Sequence, residues 1–293
     1  MRDLIKISVV TPSFNQAQFL EQTILSVLGQ NYPNLEYIIM DGGSDDGSSD
    51  IIRKYENRLS YWVSEKDGGQ SQAINKGFKI ATGELLLWIN SDDMLLPGTL
   101  KIMSEELSRN GDGIYYGNCI HFQESKRLLA WGSDAASAEK TYDLRDLDFI
   151  IQPASFWSSK VFQQVGPLNE NLHFGFDWEW FLRAKEMNIS FFPLNKALSL
   201  YRFHDAHKTG QGGDKRQTEL LAIYQKYNPG KAKLYQLLIN EKKKRQSAPY
   251  FIQGVFSRIL NKPLTYGHFL KIDSVLKYKD YSAKDINAIA NML

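Results

Sequence analysis

Two adjacent carboxylates, Asp92 and Asp93, close the apolar run Leu85–Trp88, separated from it by Ile89, Asn90 and Ser91. Four apolar residues in succession read as a buried strand. An unpaired carboxylate is costly in such surroundings, and two side by side cost more. A cation is the usual relief. Hard oxygen donors at a strand end suit Mg2+ or Mn2+, ions that commonly carry a phosphorylated substrate. The plainer alternative is a surface turn whose aspartates cap a helix, since Pro97 stands where a helix can open.

Other polar clusters follow strands in the same way. Asp41 ends the run Leu35–Met40 and opens the glycine-rich loop Gly42-Gly43-Ser44-Asp45-Asp46-Gly47. That loop lacks the dinucleotide, Walker and calcium-loop spacings, and it fits a tight turn whose leading carboxylate can accept from a nucleobase N–H. Asp67-Gly68-Gly69-Gln70-Ser71 is a second strand-to-helix loop, able either to face an anion with its N–H groups or simply to bend the chain. Phe174-Gly175-Phe176-Asp177-Trp178-Glu179-Trp180 sets two acids among aromatic rings. There Asp177 reads as an N-cap or as a general base, and Glu179 with Arg183 as an exposed helix pair. In the stretch Tyr201–Lys208, Arg202, His204 and Lys208 are suited to phosphate oxygens or a metal. His204 and His207 lack the further ligands of a zinc site.

The elements that must position these groups alternate. Strands are predicted at Ile5–Val10, Leu35–Met40, Tyr61–Val63 and Leu85–Ile89, with helices over Phe19–Leu28, Ser48–Tyr55, Gln70–Ala81 and Pro97–Leu107. Such alternation implies a doubly wound sheet with ligands at the carboxyl ends of its strands, where Thr11, Asp41 and Asp92/Asp93 fall. Beyond residue 113 the pattern is less regular, with strands expected at Ile114–Tyr116, Leu128–Trp131, Ala154–Trp157 and Ala197–Phe203 and a helix at Asp177–Met187. From Asp214 onward it is helical.

Composition bounds the function. The 293 residues are 43% apolar and 23% charged, as in a soluble globular protein. A net charge of +2 argues against nucleic acid as a partner. A single cysteine, Cys119, excludes an internal disulfide and fits a reducing compartment. Neither a signal-peptide pattern nor a membrane-length apolar run is present, so a cytoplasmic protein is expected. The sequon at Asn188 therefore carries no weight.

Taken together, these segments resemble the inverting glycosyltransferases of family 2, which have the GT-A fold. The resemblance runs from about Lys6 to Lys208. It is carried by Ser8–Asn15, Ile38–Ser44, Asp67-Gly68-Gly69 with Ala73–Gly77, Ala81–Glu84, Asn90–Asp93, Gln152–Trp157, Asp177–Arg183 and Tyr201–His204, in that order. It implies a mixed, doubly wound α/β sheet with helices on both faces over residues 1–210. Within it, about 1–112 would form the nucleotide half and 113–210 the acceptor half, followed by a helical extension over 211–293. It also implies roles. Thr11, Pro12, Asn15, Ser91 and Asp92 would line the nucleotide pocket. Asp41 would read uracil, with Asp67 as a second base contact. Asp92 and Asp93 would form the DXD-type metal motif, holding Mn2+ or Mg2+ on the diphosphate under His204. Asp177 would be the catalytic base. Trp178, Glu179, Arg202 and Lys208 would face acceptor or phosphate. The chain departs from the pattern at Asn90, where the leading DXD aspartate is expected, at Phe176, where an acid often precedes the base, and at Ile74, where many relatives have arginine. The Gln-x-x-Arg-Trp motif of processive polymerases is absent, which favours transfer of one sugar per encounter.

The expected activity is thus metal-dependent, inverting transfer from a nucleoside diphosphate sugar, UDP first, to a carbohydrate or lipid-linked hydroxyl in cell-surface polysaccharide or glycolipid synthesis. Rival readings are a sugar nucleotidyltransferase, a glycoside hydrolase and a non-catalytic nucleotide-sugar binding module. For the C-terminal helices, the cationic Lys242–Arg245 and the apolar Tyr250–Leu260 suggest a peripheral contact with the inner membrane face; packing on the catalytic domain or on a second copy is the favoured alternative.

Overall fold

The β-branched and apolar runs form the first strands: β1 (Ile7–Ser13), β2 (Leu35–Asp41), β3 (Tyr61–Ser64) and β4 (Leu85–Trp88). The computed structural model of the chain describes residues 4–123, 129–204, 208, 212–246, 278 and 280–293. β1 pairs in parallel with β2 and β4, and β2 with β3. The helices α1 (Ala17–Leu28), α2 (Ser48–Lys54) and α3 (Gln70–Ile80) are the crossovers. They cover both faces because parallel strands are apolar on both sides. On one face Leu20, Ile24 and Val27 of α1 join Ile7, Val9 and Leu87 in one core. On the other, α3 lies so close that a Cβ added at Gly77 would stand 2.5 Å from Val10 Cγ1.

Residue alternation predicts β1 as ending before Thr11-Pro12, yet the strand runs on to Ser13. The reason is its neighbours. β4 follows β1 only as far as Val10, whereas β2 follows it to the pair Ser13 and Asp41. Pro12 therefore lies where one side needs no backbone donor.

Past β4 come the two-residue strand β5 (Met94–Leu95) and α4 (Thr99–Asn110), which starts after Pro97 rather than at it. Next are β6 (Ile114–Gln123), β7 (Leu129–Gly132), α5 (Ala135–Thr141), β8 (Ser155–Ser158), α6 (Ser159–Val165), α7 (Phe176–Glu186) and β9 (Phe191–Phe203). The described strands form one mixed sheet in the order β3-β2-β1-β4-β8-β6-β9-β5, with β7 on β6. β8 joins β4 and β6 antiparallel, while β6 and β9 run parallel. Both β6 and β9 are much longer than predicted, because their pairing runs through polar Asn118 and register shifts around it that interrupt the apolar pattern.

The chain divides into two compact units: residues Met1–Thr141 with Phe149–Gly212, and Tyr142–Asp148 with Gly213–Leu293. The first contains the whole sheet. The second contains α8 (Gly213–Tyr227), α9 (Pro229–Gln246) and α10 (Ala283–Ala290). Within it the Tyr224 hydroxyl donates to the Asp146 carbonyl at 2.9 Å, and Asn228 donates to the Asp146 carboxylate at 2.8 Å. Two residues of the cationic run are engaged inside this unit: Lys242 donates to the Leu293 carbonyl and Lys243 pairs with Asp214 at 3.0 Å. Tyr250–Leu260 lies outside the described residues. Among those described, no helix is long and apolar enough to cross a membrane.

At the opposite end of the sheet from the site loops, Glu36 is a buried acid on β2. Its carboxylate accepts from Lys6 Nζ at 2.7 Å, Ser8 Oγ at 2.5 Å, Thr82 N at 2.6 Å and Thr82 Oγ1 at 2.7 Å. Burial alone would raise its pKa, but these donors outweigh it and hold the group at about 2. A carboxylate whose native pKa lies below its unfolded one stabilises the fold above the unfolded value, and that contribution fades as pH falls toward the native one. Glu36→Gln is expected to lower stability by about 2–3 kcal/mol at pH 7, read as a lower urea midpoint, with the gap to wild type narrowing near pH 3. An unchanged midpoint at pH 7 would show that the cluster gives no net stabilisation.

Candidate functional site

The polar residues picked out from sequence gather at the carboxyl ends of β1, β2, β4 and β9. Asp41 is buried at the end of β2, and its own loop wraps it. Oδ2 accepts from Ser44 N at 2.9 Å and Ser64 Oγ at 2.6 Å, and Oδ1 from Ser44 Oγ at 2.6 Å. Asn15, in the left-handed region at φ 51°, ties the β1 loop to this one. Its N–H donates to Ser44 Oγ at 2.8 Å and its Oδ1 accepts from Asp45 N at 3.0 Å. Asp67 lies against Gly42, the residue after Asp41: a Cβ on Gly42 would lie 3.1 Å from Asp67 Oδ2, while Oδ1 accepts from Gly69 N at 2.8 Å. Thr11 points into the core, 3.0 Å from the Tyr37 hydroxyl, so its side chain is turned from the loop surface. Pro12 is buried beside it. Phe14, one residue on from the strand, leaves its ring 62% exposed.

At the end of β4 the two neighbouring carboxylates have different surroundings. Asp93 is 2% exposed, and its oxygens accept from the Arg202 backbone N–H at 3.1 Å and from Asn90 Nδ2 at 3.3 Å. Burial, and then the charge of Asp92, push its pKa well above the ordinary carboxylate range, against the pull of those donors. Asp92 faces outward, with Oδ2 3.1 Å from His204 Nε2. The His204 ring leans on Phe19 at 4.5 Å. Ser91 is buried in the turn between them.

Arg202 corrects an expectation. Strand alternation in β9 points it inward, and at 1% exposure it is not placed to meet a phosphate. Its guanidinium lies 4.7 Å from the centres of both the Phe19 and Phe122 rings, donates to the Asp92 carbonyl at 3.1 Å and contacts Gln22. Arg202 therefore holds the Asp92–Asp93 turn from behind. Trp178 and Glu179 are likewise buried instead of facing acceptor or phosphate. The Glu179–Arg183 pair, at 2.9 Å, joins a buried carboxylate to a half-buried guanidinium, and Arg183 also donates to the Val165 and Pro167 carbonyls at 2.8 and 2.7 Å. This clamps the loop before α7. Asp177 sits one residue inside α7, whose N-cap is Gly175, and Oδ1 accepts from Trp178 N at 2.8 Å. It is partly exposed.

Amides link the two sides. Lys208 Nζ donates to Gln70 Oε1 at 2.7 Å, Gln70 Nε2 to Asn90 Oδ1 at 2.7 Å, Asn90 Nδ2 to Gln152 Oε1 at 3.4 Å, and Gln152 Nε2 to the Trp88 carbonyl at 2.8 Å. Lys208 Nζ also lies 5.3 Å from the centre of the Phe176 ring, immediately before Asp177, and Phe176 packs against Trp88 at 6.1 Å. Asn90 thus touches both the Asp92–Asp93 turn and the chain of amides that leads to the start of α7. Gln70 and Gln152 were not singled out as site residues, because a neutral amide has no distinctive spacing.

As a cation site, the more exposed side of the turn offers, among the described residues, one carboxylate and one imidazole, Asp92 and His204. Asp93 is turned inward, and the described residues contain no group of three or more His, Cys, Asp or Glu placed to hold a metal. A hard divalent ion commonly takes one or two protein ligands and fills its shell with water and substrate phosphate, so the pair fits an ion brought with a diphosphate.

The family described as Glycosyl transferase family 2 matches residues 8–182, from β1 into α7. A GalNAc(5)-diNAcBac-PP-undecaprenol beta-1,3-glucosyltransferase of Campylobacter jejuni is 27% identical over 72% of this chain and 69% of its own. The chain spans 65% and 40% of two further curated glycosyltransferases, from Rickettsia typhi and Streptococcus pneumoniae. Among solved structures, TarS of S. aureus with UDP-GlcNAc aligns at TM-score 0.60 and 16% identity, over 95% of this chain and 74% of that one. A Pyrobaculum calidifontis mannosyltransferase, in complex with GDP-Man and Mn2+, aligns at 0.63 and 15%, over 99% and 87%. At these identities the structural likeness speaks for the fold, which is that of the GT-A transferases.

Replacing Arg202 by methionine keeps volume but removes the donors behind the turn and leaves buried acceptors unmet. Arg202→Met is expected to cost about 2–4 kcal/mol in urea unfolding. A loss below about 0.5 kcal/mol, the ordinary effect of a surface substitution, would mean that the turn stands without it.

Proposed function

This chain belongs to glycosyl transferase family 2, and we propose that it moves one sugar from a nucleoside diphosphate sugar to an acceptor hydroxyl with inversion at the anomeric carbon. The observation that carries this reading is the position of Asn90. It is bonded on one side to the turn bearing Asp92 and on the other to the amides reaching Lys208 beside α7, so groups suited to a diphosphate and a partly exposed base share one set of strand ends.

In this reading the base of the nucleotide lies at the ends of β1 and β2. Asp67, whose Oδ1 accepts from Gly69 N, can accept from base N–H groups, and Asp41, buried and met by three donors, holds the loop beside it. The exposed ring of Phe14 offers a stacking face. The diphosphate lies over Asp92 and His204, with Lys208 as a further cation. A divalent ion bound there supplies charge neutralisation for the departing diphosphate. The acceptor oxygen attacks the anomeric carbon while the bond from that carbon to the diphosphate oxygen breaks. Asp177 takes the hydroxyl proton, and its carboxylate is steadied by the Trp178 N–H. A single displacement assisted by one base on one face inverts the centre.

TarS was solved with UDP-GlcNAc and the mannosyltransferase with GDP-Man and Mn2+. These are ligands of those proteins, and they make UDP and GDP sugars with Mn2+ the first chemistry to test. The Campylobacter relative is named for a lipid-linked acceptor, which supports the same acceptor class here, in synthesis of a surface glycan.

Two results test the proposal. UDP or GDP should raise the melting temperature further with Mn2+ than without, and EDTA should stop transfer until Mn2+ or Mg2+ is returned; full turnover in chelator would remove the metal. Asp177→Asn should cut transfer at least about 100-fold with nucleotide affinity kept. Equal loss of binding would make Asp177 structural, and pyrophosphate release from a nucleoside triphosphate would favour a nucleotidyltransferase.

A further inference from the structure

Helices α3 and α7 share an aromatic layer. Phe78 of α3 and Trp180 of α7 both pack on the Trp157 ring of β8, at 5.7 and 4.8 Å between centres. Apolar contact of this kind has no direction of its own. The segment between α6 and α7 adds directed bonds. At its start it is tied to α7, where Trp180 Nε1 donates to the Gly166 carbonyl at 2.8 Å and Arg183 to those of Val165 and Pro167. Its next residues are tied to α3. Asn75 Oδ1 accepts from Leu168 N at 2.9 Å, while Nδ2 donates to the Leu168 carbonyl at 3.0 Å and to Glu170 Oε1 at 2.9 Å. Glu170 Oε2 accepts from Gln72 Nε2 at 3.1 Å, and Gln72 Oε1 accepts from Gly68 N at 2.7 Å. A main-chain N–H only donates, and a carbonyl or carboxylate only accepts, so each of the two amides has a single orientation. One line of bonds thus runs from Gly68, beside Asp67, through Gln72, Glu170 and Asn75 to the buried Leu168, in the segment that leads into Asp177.

We propose that Asn75 is a positioning residue, which sets α7 and with it Asp177 against the loop bearing Asp67, with Gln72 and Glu170 completing the link. This rests on the function proposed above and names a residue that acts on the base without meeting the substrates. A general base must stand within hydrogen-bond reach of the acceptor hydroxyl while other elements hold the donor. Displacement by about 1 Å costs about 100-fold in rate. Helix α3 belongs to the donor side: it begins in the loop of Asp67 and carries Gln70, which bonds to Asn90 in the turn of Asp92. The Asn75–Leu168 bonds join residues 93 apart in sequence. They engage both the N–H and the carbonyl of one residue, which fixes the register of the segment as a ladder bond between strands does. An apolar side chain at position 75 would fill the space but leave the Leu168 N–H and carbonyl unmet.

The test separates positioning from stability. Turnover of the full chain is read as UDP or GDP released from UDP-glucose, UDP-galactose, UDP-GlcNAc or GDP-mannose with Mn2+, with simple alkyl glycosides and water as acceptors. Asn75→Ala should lower kcat about ten- to a hundredfold with donor KM within about threefold, because the groups assigned to the nucleotide are unchanged. Asn75→Asp is isosteric and can still accept from Leu168 N, but it loses both donors and sets a second carboxylate beside Glu170. It should behave like the alanine variant. Glu170→Ala, at an exposed position, should lower kcat about two- to tenfold, and it carries the test if position 75 tolerates no replacement. Amide hydrogen exchange over residues 166–175 should quicken in all three. An unchanged kcat in the folded variants would make Asn75 a stability residue only, and a loss confined to donor KM would assign it to the nucleotide pocket; either result overturns the proposal, as does unchanged exchange over 166–175. A wild type that releases neither nucleotide fails the transferase reading itself, and the positioning role with it.

Discussion

A buried guanidinium holds the working end of this molecule. Arg202 is enclosed by the rings of Phe19 and Phe122 and reaches the carbonyl of Asp92, while its backbone N–H meets the Asp93 carboxylate. Burying a cation is costly unless its donors are met and its charge is balanced. Here the balance comes from two aromatic faces, a side-chain amide, a main-chain carbonyl and the nearby acids. The turn after β4 is thereby tied to α1 and β9, elements separated from it by tens of residues in sequence. Asp92 can then face outward with His204, because Asp93 faces inward.

That arrangement changes how two adjacent acids are tolerated. In isolation the pair points to a cation as the usual relief, with a helix-capping turn as the plainer alternative. In the fold the relief is divided. Asp93 is met by a main-chain N–H and an amide, and its pKa is raised chiefly by burial. Of the two, Asp92 is the carboxylate left on the more exposed side of the turn, beside His204. A single outward carboxylate beside an imidazole suits an ion that arrives with phosphate oxygens better than one held by the protein alone. The amides from Gln70 to Gln152 extend from the turn without adding charge, and the Lys208 ammonium carries the link on to the start of α7.

Much of the first half of the fold was legible from residue order. Apolar runs at Leu35–Met40 and Leu85–Trp88 became buried parallel strands, and the spacing of Leu20, Ile24 and Val27 became the inner face of α1. The reading failed where pairing overrode pattern. β1 continues through Pro12 because β2 accompanies it, β5 is two residues supported by β9, and β6 and β9 lengthen one another across polar positions. The helices α5 and α6 carry no strong amphipathic signal over seven residues each. Among candidate site residues, Asp41, Asp67, Asp92 and His204 were visible as polar groups at or just past strand ends. Gln70 and Gln152 were not, since nothing in a glutamine's type distinguishes a bonded one.

Residue order by itself determined the alternation of strands and helices, the kinship to a family and the set of acids from which a site must be built. These depend on local periodicity and on motifs within short stretches of chain. Tertiary structure alone decided which way each side chain faces: that Arg202, Trp178 and Glu179 are interior, that Asp93 supports and Asp92 presents, and that Asn90 joins two halves of the site. Facing is set by strand register and helix phase relative to partners as much as 110 residues away. A one-residue shift reverses it, and no local pattern in the sequence encodes that choice.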